Sequence, residues 1–481
     1  MYILYRLLTI LFLPLVIYSC EEPSVEEVSS FCYRDWETIK KDCVLTVLAE
    51  NSPASYFIYR GRNMGYEYEL LHELTKDYDV RLEVKMVNDL DEMLEMLYRC
   101  EGDLLACNLS PTDNRNKYLT FSEPHYTTKH VLVQRVWDEK DSLSLHFVDN
   151  INDLRGRKVH IWKHSSYYDN LVALNEDQSL DLTIIPLEGE LSTDEIIRMV
   201  SDNEIDYTVV DENVAQMSLY YYPNIDYSLA LSETQDICFA FRKDSDSLIA
   251  KVNNWLLSND NRSTIGEVRR KYFKRKSLVQ KGKQDFSSLV GNSISEYDSI
   301  IRFHTDSTIW DWRLISAIIY QESKFETWKV SWAGAFGLFQ FMPGTARGYG
   351  ISKSSSAEAQ IQAGIKKLTK NFNEWYEEIP DTIEALKFTL ANFNAGRSHI
   401  DDARVLCDKY ELDKNVWDEN VNKMMLNLRH PQYYKDEDVK YGYCRGTETY
   451  EYVIEVMQRY REYCAAFPDT TISYPYSLEF H

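Results

Sequence analysis

Glu322 is the side chain in this 481-residue sequence best placed to do proton chemistry. Ile315, Ile318 and Ile319 recur upstream at helical spacing and Glu322 falls one further turn along, so the pattern predicts a helix whose apolar stripe ends in a carboxylate. A carboxylate in that position is costly unless protonated or paired, and a carboxyl that keeps its proton near neutral pH can act as a general acid. Downstream, Gly334, Gly337 and Gly344 bracket Gln340 and Met342 in a stretch too glycine-rich for a core helix. Such a stretch predicts backbone running close to something bound, and an acid facing it predicts a cleft. Taken alone, the same residues also fit a plain helix-end acid beside ordinary turns.

The order of four segments narrows that choice. Glu322-Ser323 is followed by Gly334-Ala335-Phe336-Gly337-Leu338-Phe339-Gln340-Phe341-Met342-Pro343-Gly344-Thr345-Ala346, then by Asn392-Phe393-Asn394-Ala395-Gly396, then by Glu448-Thr449-Tyr450-Glu451-Tyr452-Val453. The series resembles the soluble lytic transglycosylase family of goose-type lysozyme-like folds, whose motifs ES, GxxGLMQxMPxTA, AYNAG and ETxxYV run in the same order. The resemblance implies a mostly α-helical domain over residues 293–481 in which Glu322 is the catalytic acid. It also implies that Ser323, Gln340, Met342, Asn394 and Tyr452 bind substrate or orient the acid, and that no cofactor takes part. The implied reaction is cleavage of the MurNAc-GlcNAc β-1,4 bond of peptidoglycan without water, leaving a 1,6-anhydro end. Two positions depart from the motifs: Phe393 stands where the family has Tyr, and Phe339 where Met is usual. The lost hydroxyl puts a hydrogen bond to the sugar or to the acid in question. A water-using muramidase and a non-catalytic receptor that grips glycan are the alternative readings.

The elements that must position these residues differ between the two halves. From residue 43 to residue 275 the pattern alternates strand and helix: Val44–Leu48 and Val80–Met86 read as strands, with helices over Tyr68–Tyr78 and Leu90–Tyr98, and Leu104–Ala106 as the next strand. A second block repeats the pattern through Lys158–Ile161, a capping box at Ser192-Thr193-Asp194-Glu195, and Tyr207–Val210. Such units predict a mostly parallel sheet. Leu45–Pro53, Gly65–Glu73, Gly102–Arg115 and Phe121–Pro124 resemble the amino-acid-binding type of periplasmic solute-binding proteins, which implies a two-lobed α/β domain. The resemblance implies that Arg115 of the turn Thr112-Asp113-Asn114-Arg115 clamps a carboxylate, a task suited to a bidentate guanidinium, and that Asp211 holds an amine. The implied ligand is an amino acid, a stem peptide or a muropeptide, and the implied role is regulatory. For these residues a surface ion pair at Arg115 and a helix cap at Asp211 stay open, as does a core rather than cleft-wall position for Tyr56 and Phe57.

Beyond residue 292 strand signals disappear. Asp381 and Glu384 predict a helix start, with Ile383, Leu386, Leu390 and Phe393 on its apolar face and Gly396 at its end, and Tyr452, Val453, Val456, Met457 and Tyr460 stripe a last long helix. Polar residues 276–292 read as a linker, preceded by the basic cluster Lys274-Arg275-Lys276, which fits either solvent or anionic lipid.

Residues 1–20 hold an apolar run too short to span a bilayer, which predicts a signal peptide. Ile17-Tyr18-Ser19-Cys20 looks like a lipobox, implying lipidation of Cys20, a tether over 21–42, and attachment in the cell envelope at the periplasmic face of the outer membrane. The remaining eight cysteines then permit disulfides, Cys100 with Cys107 being the easiest pair to imagine around Gly102. None has CxxC spacing and no histidine cluster accompanies them, so a metal site is not expected. A net charge of −23 argues against a nucleic-acid partner.

Overall fold

The computed structural model describes residues 32–136, 147–162, 165–187, 191–273, 286–291 and 293–469. Cys20 and the cluster Lys274-Arg275-Lys276 lie outside the described residues.

The first half is the two-lobed α/β domain expected. Apolar runs such as Val44–Ala49 and Leu104–Leu109 form strands covered on both faces. The first sheet has the order Arg81–Met86, Val44–Ala49, Leu104–Leu109, Gln235–Arg242, Leu119–Phe121. Its first three strands are parallel, with Val44 opposite Arg81 and Val47 opposite Leu104. The second sheet has the order Thr183–Leu187, Lys158–Trp162, Thr208–Asp211, His130–Arg135, Ile225–Asp226. The chain passes between sheets twice, and Gln235–Arg242 runs antiparallel to Leu104–Leu109 on its return. Both sheets are therefore mixed rather than mostly parallel, because a strand arriving from the other lobe enters against the local βαβ direction. Caps fix the helices locally: Asp89 accepts from the Glu92 amide at 2.9 Å to open Leu90–Tyr98. The capping box closes at Ser192, whose Oγ accepts from the Glu195 amide while Glu195 Oε2 accepts from the Ser192 amide, at 3.3 and 2.8 Å.

Three sequence expectations change here. The end of the expected tether is folded: helix Trp36–Asp42 buries Trp36 and Ile39, and Asp35 accepts from the amides of Trp36 and Leu248 at 2.8 and 2.7 Å. Cys100 pairs with Cys32, not with Cys107. Cys107 is a free thiol buried within strand Leu104–Leu109, where the sheet core surrounds it. The described end of the expected linker adds to hairpin Phe57–Tyr59 and Arg62–Met64: the Ser288 amide donates to the Ile58 carbonyl at 2.9 Å and the Arg60 amide to the Phe286 carbonyl at 2.8 Å. Ser288 reads as solvated in sequence because the partners of its hydroxyl, the Ile58 amide and the Asn51 side chain, lie more than two hundred residues away.

From Asp298 onward every regular element among the described residues is a helix. Helices Trp312–Ser323, Ala357–Glu378, Thr382–Ala395 and Thr447–Ala466 pack around a core that includes Ile315, Ile318, Leu390 and Val456. The same apolar cluster takes in Ala49, Tyr56 and Ile58 from the first half, so Tyr56 is core, as is the wholly buried Phe57. Gln458 Nε2 donates to the Leu82 carbonyl at 2.9 Å, covering the edge strand of the first sheet. Tyr463 donates to the Gly61 carbonyl at 2.9 Å, and Asn63 Nδ2 to Glu462 Oε2 at 2.9 Å. Gly61 has φ +74°, and a Cβ there would lie 2.6 Å from the Tyr463 hydroxyl and 2.7 Å from the Tyr320 ring, so only glycine fits this seam.

Candidate active site

Helix Trp312–Ser323 starts at Asp311, whose carboxylate accepts from the Arg313 amide at 2.8 Å, and ends at Lys324 in the left-handed region. Its apolar face is wholly buried, which places half-buried Glu322 on the last turn at the lip of the core. Burial raises the Glu322 pKa to about 7, with the charge of Glu448 pushing the same way; the hydrogen bond from Tyr452 and the charges of Lys367 and Lys329 oppose it. The helix C-terminus also disfavours a negative charge at this turn. Tyr452 on Thr447–Ala466 donates its hydroxyl to Glu322 Oε1 at 2.8 Å. Burial and the neighbouring carboxylate push the Tyr452 phenol well up, so it keeps the proton it donates.

The glycine-rich loop is held to the acid by its backbone. Lys329 Nζ donates to the Glu322 carbonyl at 3.0 Å, and the Lys329 carbonyl accepts from the Gly337 amide at 2.9 Å and from Gln340 Nε2 at 3.2 Å. Gln340 Nε2 also donates to the Gly337 carbonyl at 2.8 Å, so this amide shapes the loop rather than the acid. Ser323 is wholly buried and donates to the Ile319 carbonyl at 3.0 Å; its hydroxyl is spent inside its own helix, and orienting Glu322 falls to Tyr452. The close approach expected at the glycines is internal at Gly337 (φ +79°), where a Cβ would lie 2.2 Å from Gln360 Oε1, while nothing lies within 4 Å of a Cβ at Gly334 or Gly344. Met342 is exposed ahead of helix Pro343–Gly348. Asn394 Oδ1 accepts from the Thr449 hydroxyl at 2.8 Å, tying the segment that ends at Gly396 to the helix of Tyr452.

Sequence reading missed Lys367. Its ammonium, on helix Ala357–Glu378, sits 3.7 Å from the Phe393 ring centroid and 5.6 Å from that of Phe341. Burial lowers its pKa to about 8, against the pull of Glu322. A phenyl face rather than a hydroxyl at position 393 thus holds a cation beside the acid. The signal was faint, since one lysine on an amphipathic helix ordinarily means a solvated face. Phe339 is buried against Gly364, where a Cβ would lie 2.4 Å from its ring, and it packs 6.1 Å from Phe393. It is a core residue behind the site.

In the first half, Thr112 and Arg115 line a cleft of about 370 Å³ together with Asn114, Ser165, Ser166 and Asp169. Thr112 Oγ1 accepts from the Arg115 amide at 3.2 Å, and Arg115 is buried, donating from its guanidinium to the Ser110 carbonyl at 3.0 Å. Asp211 is buried too, and accepts from Tyr167 at 2.8 Å and from Asn108 Nδ2 at 2.6 Å. It makes no side-chain cap to helix Glu212–Ser218, which removes the capping alternative. Burial raises its pKa to about 7, opposed by Tyr167, Arg115 and Asn108. Glu50, unmarked by sequence reading, reaches from the first lobe to the second, where Oε1 accepts from the Thr193 amide at 2.8 Å.

Residues 44–275 match the family profile described as bacterial extracellular solute-binding proteins, family 3, and residues 299–415 match the transglycosylase SLT domain. The chain is 30% identical over 430 residues to a protein of Pseudomonas putida, covering 88% of this chain and 85% of that one. It is 29% identical over 423 residues to a protein of Desulfosudis oleivorans, covering 88% and 90%. Both relatives are named membrane-bound lytic murein transglycosylase F. Among solved structures, a mutant of ArgBP from T. maritima aligns over 50% of this chain and 99% of its own with 18% identity and a TM-score of 0.43. Fold and site define a two-part protein in which a solute-binding α/β domain is fused to a helical transglycosylase domain. The chain belongs to the membrane-bound lytic murein transglycosylase F family.

Proposed function

We propose that this protein is a peptidoglycan lytic transglycosylase in which Glu322 serves as both acid and base. The observation that carries the reading is one half-buried carboxyl, with a pKa raised to about 7, accepting at 2.8 Å from a phenol that stays protonated. Protonated Glu322 gives its proton to the oxygen linking N-acetylmuramic acid to N-acetylglucosamine, and the bond from that oxygen to muramyl C1 breaks. The carboxylate left behind takes the proton of the muramyl C6 hydroxyl as that oxygen bonds to C1. The ring closes as a 1,6-anhydro sugar, Glu322 is protonated again, and no water is consumed. Tyr452 holds the carboxyl in place and stabilises its charged form between the two steps. Lys367 sets the field around the acid, and Met342 and Asn394 are read as glycan contacts.

The solute-binding half is read as a regulatory receptor for an amino acid, stem peptide or muropeptide, with Arg115 and Thr112 on its carboxylate and Asp211 on its amine. Lipidation at Cys20 would hold the protein at the periplasmic face of the outer membrane. The test of the central reading is mass analysis of purified peptidoglycan digested by the chain lacking residues 1–20. Anhydro-ended fragments are expected, and reducing ends would mean that water attacks instead. Glu322→Gln should lower turnover by about 10²–10⁴-fold, and near-normal lysis by that variant would remove Glu322 from the reaction.

A further inference from the structure

Between Glu322 and Pro343 the chain turns an alternating set of side chains to solvent. Trp328 is 75% exposed, Val330 50% and Trp332 101%, with Met342 at 47% beyond them, whereas Lys329 and Ser331 between them, and Thr327 before them, are half-buried. The segment is anchored along its inner edge. Lys329 is bonded to the Glu322 carbonyl, the Ser331 amide donates to the Ala335 carbonyl at 2.8 Å, the Ala335 amide to Ser331 Oγ at 3.0 Å, and Val330 and Phe336 form an antiparallel bridge. Two indoles and an isopropyl group at alternate positions of a segment with bonded backbone expose apolar area of the kind that marks an interaction site.

We propose that Trp328, Val330 and Trp332 form a platform that receives the glycan strand leaving the acid, adding sugar contacts beyond the bond being cleaved. The proposal rests on the reading of Glu322 as acting on peptidoglycan. Continuity supports it first: the segment that carries the three side chains begins five residues after Ser323 and is bonded through Lys329 to the carbonyl of Glu322 itself. Chemistry supports it second. A pyranose presents a flat face of C–H groups with its hydroxyls at the rim, and an indole covers that face while the hydroxyls stay in water. Charge argues against a bilayer as occupant: a chain of net charge −23 is repelled by an anionic lipid surface, and Lys324 and Lys329 are the only cations between Glu322 and Pro343.

The experiment uses the chain lacking only residues 1–20, in a Glu322→Gln background so that binding is read without turnover. Trp328→Ala, Trp332→Ala and the double variant are pelleted with insoluble peptidoglycan, with Phe303→Ala, another exposed aromatic at 75%, as control. Trp328, Trp332 and Phe303 all lie on the surface, and an unchanged melting temperature checks the fold. The double variant should lose about 10-fold or more in affinity for the polymer, and the control should not. Equal pelleting by the double variant overturns the proposal. So does a loss confined to flotation with vesicles of phosphatidylethanolamine and phosphatidylglycerol, which would make the rings a lipid contact. Lysis retained by Glu322→Gln alone would refute the catalytic reading, and tryptophan-dependent pelleting would still be measured separately.

Discussion

The hydroxyl of Tyr452 donates to Glu322 Oε1 across 2.8 Å, joining the ends of two helices 130 residues apart in sequence. That bond stabilises the carboxylate, whereas burial favours the acid, and the balance leaves the carboxyl at about 7. Because the first step needs the protonated form, turnover should fall as pH rises through 7. Tyr452→Phe removes a stabiliser of the charge, so the alkaline limb should move to higher pH while the maximal rate drops. Lys367→Met should move the limb the same way, and Glu448→Gln, which removes a repulsion, should move it to lower pH. Rates on soluble glycan fragments between pH 5 and 9 would check all three signs. A common direction for the three variants would mean that the limb belongs to another group.

Gly61 is the position where the two halves leave no room. Gly61→Ala should destabilise the protein by about 1–2 kcal/mol through its left-handed backbone and by about 1–3 kcal/mol more through overpacking against Tyr463 and Tyr320. Urea unfolding would measure this. Since Tyr320 lies on the helix of Glu322, the variant should also lose rate on glycan at temperatures where it remains folded.

Arg115 should anchor a carboxylate in the first domain. Arg115→Ala should weaken ligand binding by roughly 2–5 kcal/mol, since the ligand charge would be buried unpaired. Calorimetry against free amino acids and muropeptides would show it. Equal affinity in wild type and variant would make Arg115 a structural residue.

Stability should rise as pH falls from 8 to 6.5. Burial raises Glu322, Asp194 and Asp211 each to about 7. A carboxyl whose folded pKa is raised contributes stability that is complete below its unfolded value and is lost as pH rises through the folded one. His130, held down to about 4 by burial, works in the opposite sense, but only as pH falls below its ordinary 6.5. Lys367 titrates between about 8 and 10.5, above the window. Scanning calorimetry at pH 8 and pH 6.5 would decide it, and a flat or falling melting temperature would mean that these carboxyls ionise without cost in the fold.

What the sequence by itself determined lies within a few residues of each signal. The isoleucine spacing ahead of Glu322, the capping box at Ser192, the N-cap at Asp381, the end at Gly396 and the helix Leu90–Tyr98 are periodicities and caps, whose physics acts over one or two turns. The order of the four motifs likewise picked out the acid and Tyr452 as a pair. Only the tertiary structure decided that Cys32 rather than Cys107 meets Cys100, that residues 32–42 and 286–291 belong to the packed fold, and that Lys367 lies on Phe393 beside the acid. It alone decided that Glu50 bridges the lobes and that Gly61 sits under Tyr463. Those contacts depend on where the whole chain path brings distant segments, and nothing in the local spacing of a lone lysine, glutamate, cysteine or glycine encodes that path.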